Sequence, residues 1–263
     1  MSDQPPPSPV VTSTDGATAV ITIDRPDRRN AINPEVTHGI AAALASAEES
    51  PDVRVVVLTG AGDRAFCAGG DLGGMTADGR VAQHLQRAEV GALFAQMRAS
   101  RLPIVARVNG HALAGGFGLM LACDMVVAAA DAEMGTPEIN LGLWPFMISA
   151  VIQRDLPRKI ALELMLTGRR MSAEEGARWG FVNRVVDRDG LDAAMREVTE
   201  VLASTSPLLA ALGKGSFYRA EDMGFEQSLD YLAGMLTVCL ESEDTVEGVT
   251  AFMEKRAPEW KGR

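Results

Sequence analysis

Apolar and polar positions alternate between two rhythms along the first two hundred residues. Ala19-Val20-Ile21-Thr22-Ile23, closed by Arg25-Pro26, predicts a short strand. Val53 to Thr59, VRVVVLT, is nearly unbroken, the pattern of a strand buried on both faces. Ile104 to Val108, Asp124 to Ala128 and Val182 to Val186 predict three more strands. Between these runs the spacing lengthens. Asn33-Pro34-Glu35 reads as a helix start, with Asn as cap, Pro at the first position and an acid in the first turn. Val36, Ile40, Leu44 and Ala47 then share one helical face. A second amphipathic helix is predicted over Val81 to Met97, and Leu119-Met120-Leu121 reads as a buried helix start after Gly115-Gly116. Ser172-Ala173-Glu174-Glu175 is a capping box opening a short helix that Gly180 ends. Strands alternating with helices predict an α/β core, whose topology periodicity does not fix.

After Ser206 the strand signals stop, and amphipathic segments run to about Arg256. The expected division is a disordered Pro-rich tail over 1–14, a core over 15–205 and a helical C-terminal subdomain over 206–263. The tail is inferred from Met1 to Pro9, where four of nine residues are proline.

Composition narrows the function classes. The 263 residues carry a formal charge of -10, which disfavours nucleic acid or an anionic membrane as partner. No apolar stretch reaches the 18 or so residues of a membrane span. The N-terminus lacks the basic and apolar regions of a secretory signal. Cys67, Cys123 and Cys239 are an odd set at no metal-like spacing, so reduced thiols in a cytoplasmic protein are expected. The three histidines are scattered, and no metal site is expected.

Candidate chemistry lies in three loops. Phe66-Cys67-Ala68-Gly69-Gly70-Asp71 and Asn109-Gly110-His111-Ala112-Leu113-Ala114-Gly115-Gly116 are glycine-rich turns after strands. Two such turns can aim backbone N–H groups at one oxygen, as an oxyanion hole does, or be two unrelated turns. In the third loop, Thr136 to Trp144, Glu138 is the only acid among apolar residues. Desolvation there would raise its pKa toward proton transfer near neutrality. Gly60-Ala61-Gly62-Asp63-Arg64-Ala65 matches G-x-G-x-x-A, a dinucleotide fingerprint. The next residues, Phe66-Cys67-Ala68-Gly69-Gly70, make a poor helix, and no strand ends in an acid about 20 residues on.

Taken in order, several segments resemble the enoyl-CoA hydratase/isomerase (crotonase) family. They are Ile23-Asp24-Arg25-Pro26 with Asn30-Ala31, Val57-Leu58-Thr59-Gly60 with Phe66 to Asp71, and Pro103 to Gly110. Gly115-Gly116, Cys123-Asp124, Pro137-Glu138, Leu141-Gly142, Leu166-Thr167-Gly168 with Ser172-Ala173, and Ala251 to Arg256 complete the set. The resemblance implies a crotonase-like spiral of ββα repeats whose C-terminal helices build a homotrimer or a dimer of trimers. It implies an acyl-CoA substrate, with coenzyme A part of that substrate and no other cofactor. The matching positions put the oxyanion donors at the amides of Gly70 and Gly115, and an acid/base at Glu138. Ala68, Asp71 and Leu72 belong to the turn along the substrate, although Asp71, like Asp124, reads as a turn stabiliser. His111 likewise reads as structural. Arg64, Phe252 and Lys255 are implied CoA contacts, with Arg25 and Arg28 as further ones. A basic position of the family after Asp71-Leu72 is Gly73 here.

One departure bears on the reaction. Hydratases of the family carry a glutamate two residues after the glycine pair, where this chain has Gly118. Two carboxylates hold one water between them, and loss of a positioned acid or base costs about 10²–10⁴-fold. A lone Glu138 still suffices for double-bond migration, with Leu143-Trp144-Pro145-Phe146 expected to exclude water and Gly118 to leave room for a bulkier acyl chain, so the expected reaction is double-bond migration or hydration of an enoyl-CoA. The alternative is a non-catalytic acyl-CoA-binding protein.

Overall fold

The computed structural model describes residues 8–71, 73 and 79–263. A hairpin of β1 (Val10–Asp15) and β2 (Thr18–Ile23) leads into α1 (Pro34–Glu49), then β3 (Val55–Gly60), β4 (Ala65–Cys67) and α2 (Arg80–Ala99). Next come β5 (Ile104–Val108), β6 (His111–Leu113), α3 (Gly115–Leu121), β7 (Met125–Ala129) and β8 (Glu133–Gly135). A 3-10 turn, Pro137–Leu141, precedes α4 (Ser149–Asp155), α5 (Arg158–Thr167), β9 (Arg170–Ser172), α6 (Ala173–Trp179), β10 (Arg184–Val186) and α7 (Leu191–Ala203). Helices α8 (Pro207–Glu221), α9 (Phe225–Leu240) and α10 (Glu243–Glu254) complete the chain.

The spiral is visible in the pairing. Each ββα unit, β3-β4-α2, β5-β6-α3 and β7-β8-α4, sends its first strand to a six-stranded sheet ordered β1-β2-β3-β5-β7-β10. Its second strand joins a four-stranded sheet ordered β4-β6-β8-β9. Pairing is parallel except for β1 with β2 and β8 with β9. Every residue of β3 is buried, because both faces of the large sheet are covered. Val56 and Leu58 face the main core with Ile40 and Leu44 of α1, while Val55 and Val57 face Leu191, Met195 and Val198 of α7. That double cover is why the run lacks alternation.

Local signals act where they stand. Asn33 Oδ1 accepts the Val36 N–H at 2.9 Å, and Ser172 Oγ accepts that of Glu175 at 3.2 Å. Gly180 ends α6 with φ of 89°. Two expectations shift. Residues 10–14, expected in the tail, are strand: Pro9 O accepts from Asp24 N at 2.8 Å, and β-branched Val10, Val11, Thr12 and Thr14 pair along β2. Residues 1–7 of that tail lie outside the described residues. Helix α3 opens at Gly115, inside the glycine pair, four residues before the apolar run.

Between Ser206 and Arg263 the chain forms helices and no strand. Asp124, beside β7, ties α8 to the core. Lys214 Nζ pairs with Asp124 Oδ2 at 2.7 Å and donates to the carbonyls of Met97 and Leu102, while Tyr218 Oη donates to Asp124 Oδ1 at 2.7 Å. In contrast, α9 buries no residue. No described helix is long and apolar enough to cross a membrane.

Candidate active site

Three parallel neighbours of the small sheet end at one edge. The register pairs Cys67 of β4 with Ala112 of β6, and Leu113 of β6 with Gly135 of β8. Adjacent strands lie about 4.8 Å apart. The residues that leave these strands are Ala68-Gly69-Gly70, Ala114-Gly115 and Thr136-Pro137-Glu138. Positions far apart in sequence are thereby brought to one place.

The two glycine turns touch. A Cβ built on Gly115 would stand 3.6 Å from Gly70 N, and one on Gly69 would stand 3.4 Å from Gly115 N. Gly69, at φ of 105° and with Ala114 Cβ 2.7 Å from where its own Cβ would be, accepts no side chain. Ala114 itself sits at φ 52°, ψ -128°, a conformation costly for a residue with a Cβ. Its N–H is fixed on Gly135 O at 2.8 Å. The first turn is fixed by Ile32, whose N–H donates to Gly69 O at 2.8 Å and whose carbonyl accepts from Asp71 N at 2.7 Å. The amides of Gly70 and Gly115 donate to no group among the described residues. Gly115 is the first residue of α3, where a helix has no internal acceptor. Gly70 is exposed and Gly115 half-buried, so a ligand can reach both.

Glu138 sits in the first turn of the 3-10 segment. It is half-buried, and its Oε2 is buried with no hydrogen-bond partner among the described residues. Burial pushes its pKa above the ordinary glutamate value, the direction wanted in a proton carrier. Cys67, at the head of the first turn, is no competing nucleophile: complete burial pushes its thiol up to about 12.

Gly118 does not leave room for an acyl chain. Its Cβ direction is filled by Ile148, whose Cγ2 would lie 2.2 Å away. The apolar stretch beyond Glu138 is divided as well. Pro145 is buried and Trp144 packs against the core, but Leu143 is 48% and Phe146 75% exposed, so within one chain the expected water-excluding wall is incomplete.

The cations sort into two groups. Arg25 serves the fold: it pairs with Asp71 Oδ2 at 2.7 Å and donates to Ala31 O. That pairing holds the Asp71 carboxyl below its ordinary pKa, and Asp71 also accepts from Gly73 N at 3.2 Å. Both side chains are paired within the turn. Arg28 and Arg64 are exposed, with no side-chain bond among the described residues. Ala68 is half-buried in the first turn, and Leu72 lies outside the described residues. Phe252 and Lys255 are exposed on α10 and its C-cap, and neither side chain bonds to the loops around Glu138. His111 Nδ1 accepts the Glu133 N–H at 3.1 Å, a structural contact.

The dinucleotide pattern at Gly60 to Ala65 fails on geometry. Strand β4 succeeds it instead of a helix, and Asn109 Nδ2 occupies the carbonyls of Gly60 and Gly62 at 2.7 Å each. Among the described residues no three His, Cys, Asp or Glu side chains gather as a metal would require. Sequence patterns did not single out Ile32 or Ile148, and they marked the buried Asn30 only as part of the family resemblance, without a role. Asn30 donates to Ala61 O and Ala65 O and accepts from Arg25 N, binding the loop before β4. A buried Asn at positive φ leaves little trace in the sequence beyond an Asn after Arg29.

Known proteins resemble this chain over nearly its whole length. The family model described as enoyl-CoA hydratase/isomerase matches residues 13–263. A carnitinyl-CoA dehydratase of Proteus mirabilis is 36% identical over 256 residues, covering 95% of this chain and 97% of the relative. One of Salmonella typhi is 38% identical over 92% of this chain and 94% of its own. The crystal structure of an enoyl-CoA hydratase from Mycobacterium smegmatis superposes with a TM-score of 0.92 at 31% identity, covering 96% of this chain and 98% of that one. Pairing, strand edge and whole-length similarity agree that this chain belongs to the enoyl-CoA hydratase/isomerase family and is an enzyme of the crotonase fold.

Proposed function

We propose that the chain binds an acyl-CoA thioester, holds its carbonyl oxygen with the amides of Gly70 and Gly115, and moves a proton with Glu138 alone. The observation that carries this reading is the common edge of β4, β6 and β8, from which all three groups emerge. As a proton leaves the acyl carbon, charge grows on the thioester oxygen. Fixed N–H donors stabilise that charge, each worth about 2.7–4 kcal/mol. Glu138, with an unpartnered oxygen, takes the proton and returns it to another carbon. The product is a shifted double bond, and no water is consumed. Arg28 and Arg64 are free to meet the CoA phosphates. Phe252 and Lys255 would reach the site of a neighbouring copy in a homotrimer or a dimer of trimers, a reading supported by the uncovered face of α9. The dehydratase chemistry for which the relatives are named removes water, and Gly118 speaks against carrying it over.

The test uses 3-enoyl-CoA and 2-enoyl-CoA, monitored by ultraviolet absorbance of the conjugated thioester. Glu138→Gln should lower migration by about 10²–10⁴-fold while acyl-CoA still raises Tm. A fully active variant would remove Glu138 from the mechanism. The second reading, a binding protein without turnover, draws on the filled space at Gly118. It predicts the rise in Tm with neither reaction in the wild type.

A further inference from the structure

We infer that Ile148 occupies the space in which a second carboxylate would hold water, and that this side chain commits the site to water-free proton transfer. The inference deepens the reading of Glu138 as the lone acid/base and rests on it. A Cβ on Gly118 would stand 2.2 Å from Ile148 Cγ2, 2.6 Å from Ile148 Cβ and 3.4 Å from Phe94 Cζ. The second contact is at the root of the side chain, so no rotamer change relieves it. Ile148 is 4% and Phe94 7% exposed. Ile148 caps α4, and its carbonyl accepts from Val151 N and Ile152 N at 3.2 and 3.0 Å. The next turn is anchored by Ile152, which is fully buried. The backbone carrying Ile148 is therefore not free to withdraw.

Two changes from the two-acid arrangement thus act together. Gly118 removes the carboxylate, and Ile148 with Phe94 replaces its surroundings by methyl groups and a ring edge. A buried water needs two to four polar partners, and this wall supplies none. Glycine at 118 is then a steric requirement of Ile148 and not only a lost acid. Restoring the acid alone should fail.

The experiment compares wild type, Gly118→Glu, Ile148→Ala and the double variant on 2-butenoyl-CoA. The double variant should gain hydration of about 10²-fold or more over wild type, and Gly118→Glu should gain none. Hydration by Gly118→Glu equal to the double variant would overturn the inference. So would a double variant that still migrates double bonds but does not hydrate. Ile148→Ala in D2O should also incorporate more deuterium during migration than wild type, and equal incorporation would count against the wall. A wild type that turns over neither substrate defeats the proposed function, and the wall is then read from stability. Gly118→Ala should lower Tm, and adding Ile148→Ala should cost less than the sum of the single losses. Strict additivity would show that the two positions do not compete for space.

Discussion

Glu138 holds one carboxylate oxygen in a buried place with nothing to bond among the described residues, a costly arrangement that folding alone does not require. Its pKa is raised by that burial, above 4.5. As the proposed base it must be ionised, so kcat/KM for migration should rise with pH through a limb above 4.5. Opening the pocket, for example by Trp144→Ala, should move the limb toward the ordinary glutamate value. A limb at or below 4.5 in the wild type would mean that Glu138 is solvated during turnover. At this scale the sequence showed the actors but not their relations. Gly70, Gly115 and Glu138 stood out as glycines in turns and as one acid in an apolar loop. Ile148 did not, because its importance lies in meeting Gly118, thirty positions away, and nothing in either residue's neighbourhood signals that contact.

Among the elements, long ones were legible and short ones were not. The helix over 34–49 and the strands at 18–23, 55–60 and 104–108 announce themselves by caps and β-branched runs. Strands β4, β6 and β8 have three residues each, too few for a period of two to emerge. Those short strands are what gather the site, so fold class was readable while the site's assembly was not. The docking of α8 also escaped periodicity, because it depends on ion pairs between residues far apart in sequence, Arg98 with Glu221 and Lys214 with Asp124 among them. Lys214 and Asp124, 8% and 17% exposed, form a pair that the Tyr218 hydroxyl and the Ile104 N–H complete. Lys214→Ala leaves Asp124 its two neutral donors but no cation. Urea unfolding should show a loss of about 3 kcal/mol, the lower end for breaking a buried pair. A loss under about 1 kcal/mol would mean that water replaces the ammonium at no cost.

For the whole molecule the notable surface is α9. Phe225, Leu229, Leu232, Leu236 and Leu240 recur at helical spacing, and all are at least 39% exposed. Such a stripe on a lone chain is an unusual apolar patch, and it continues onto α10 through Val246, Val249 and Phe252. The proposed trimer would cover it. Light scattering should give a mass three or six times that of one chain, and Leu229→Lys with Leu236→Lys should reduce it to one. A wild-type monomer would leave Phe252 and Lys255 with no route to any site.

The order of the small sheet has a practical corollary. The amides proposed to hold the thioester oxygen issue from the first two strands of the edge, and their geometry is fixed by Gly69 and Ala114 in those strands' own turns and by Ile32 from the loop before α1. The side proposed to handle the proton issues from the third strand and from the segment that leads to α4. A lineage can therefore rewrite residues 136–148, trading one reaction for another, without disturbing the turns proposed to activate the thioester.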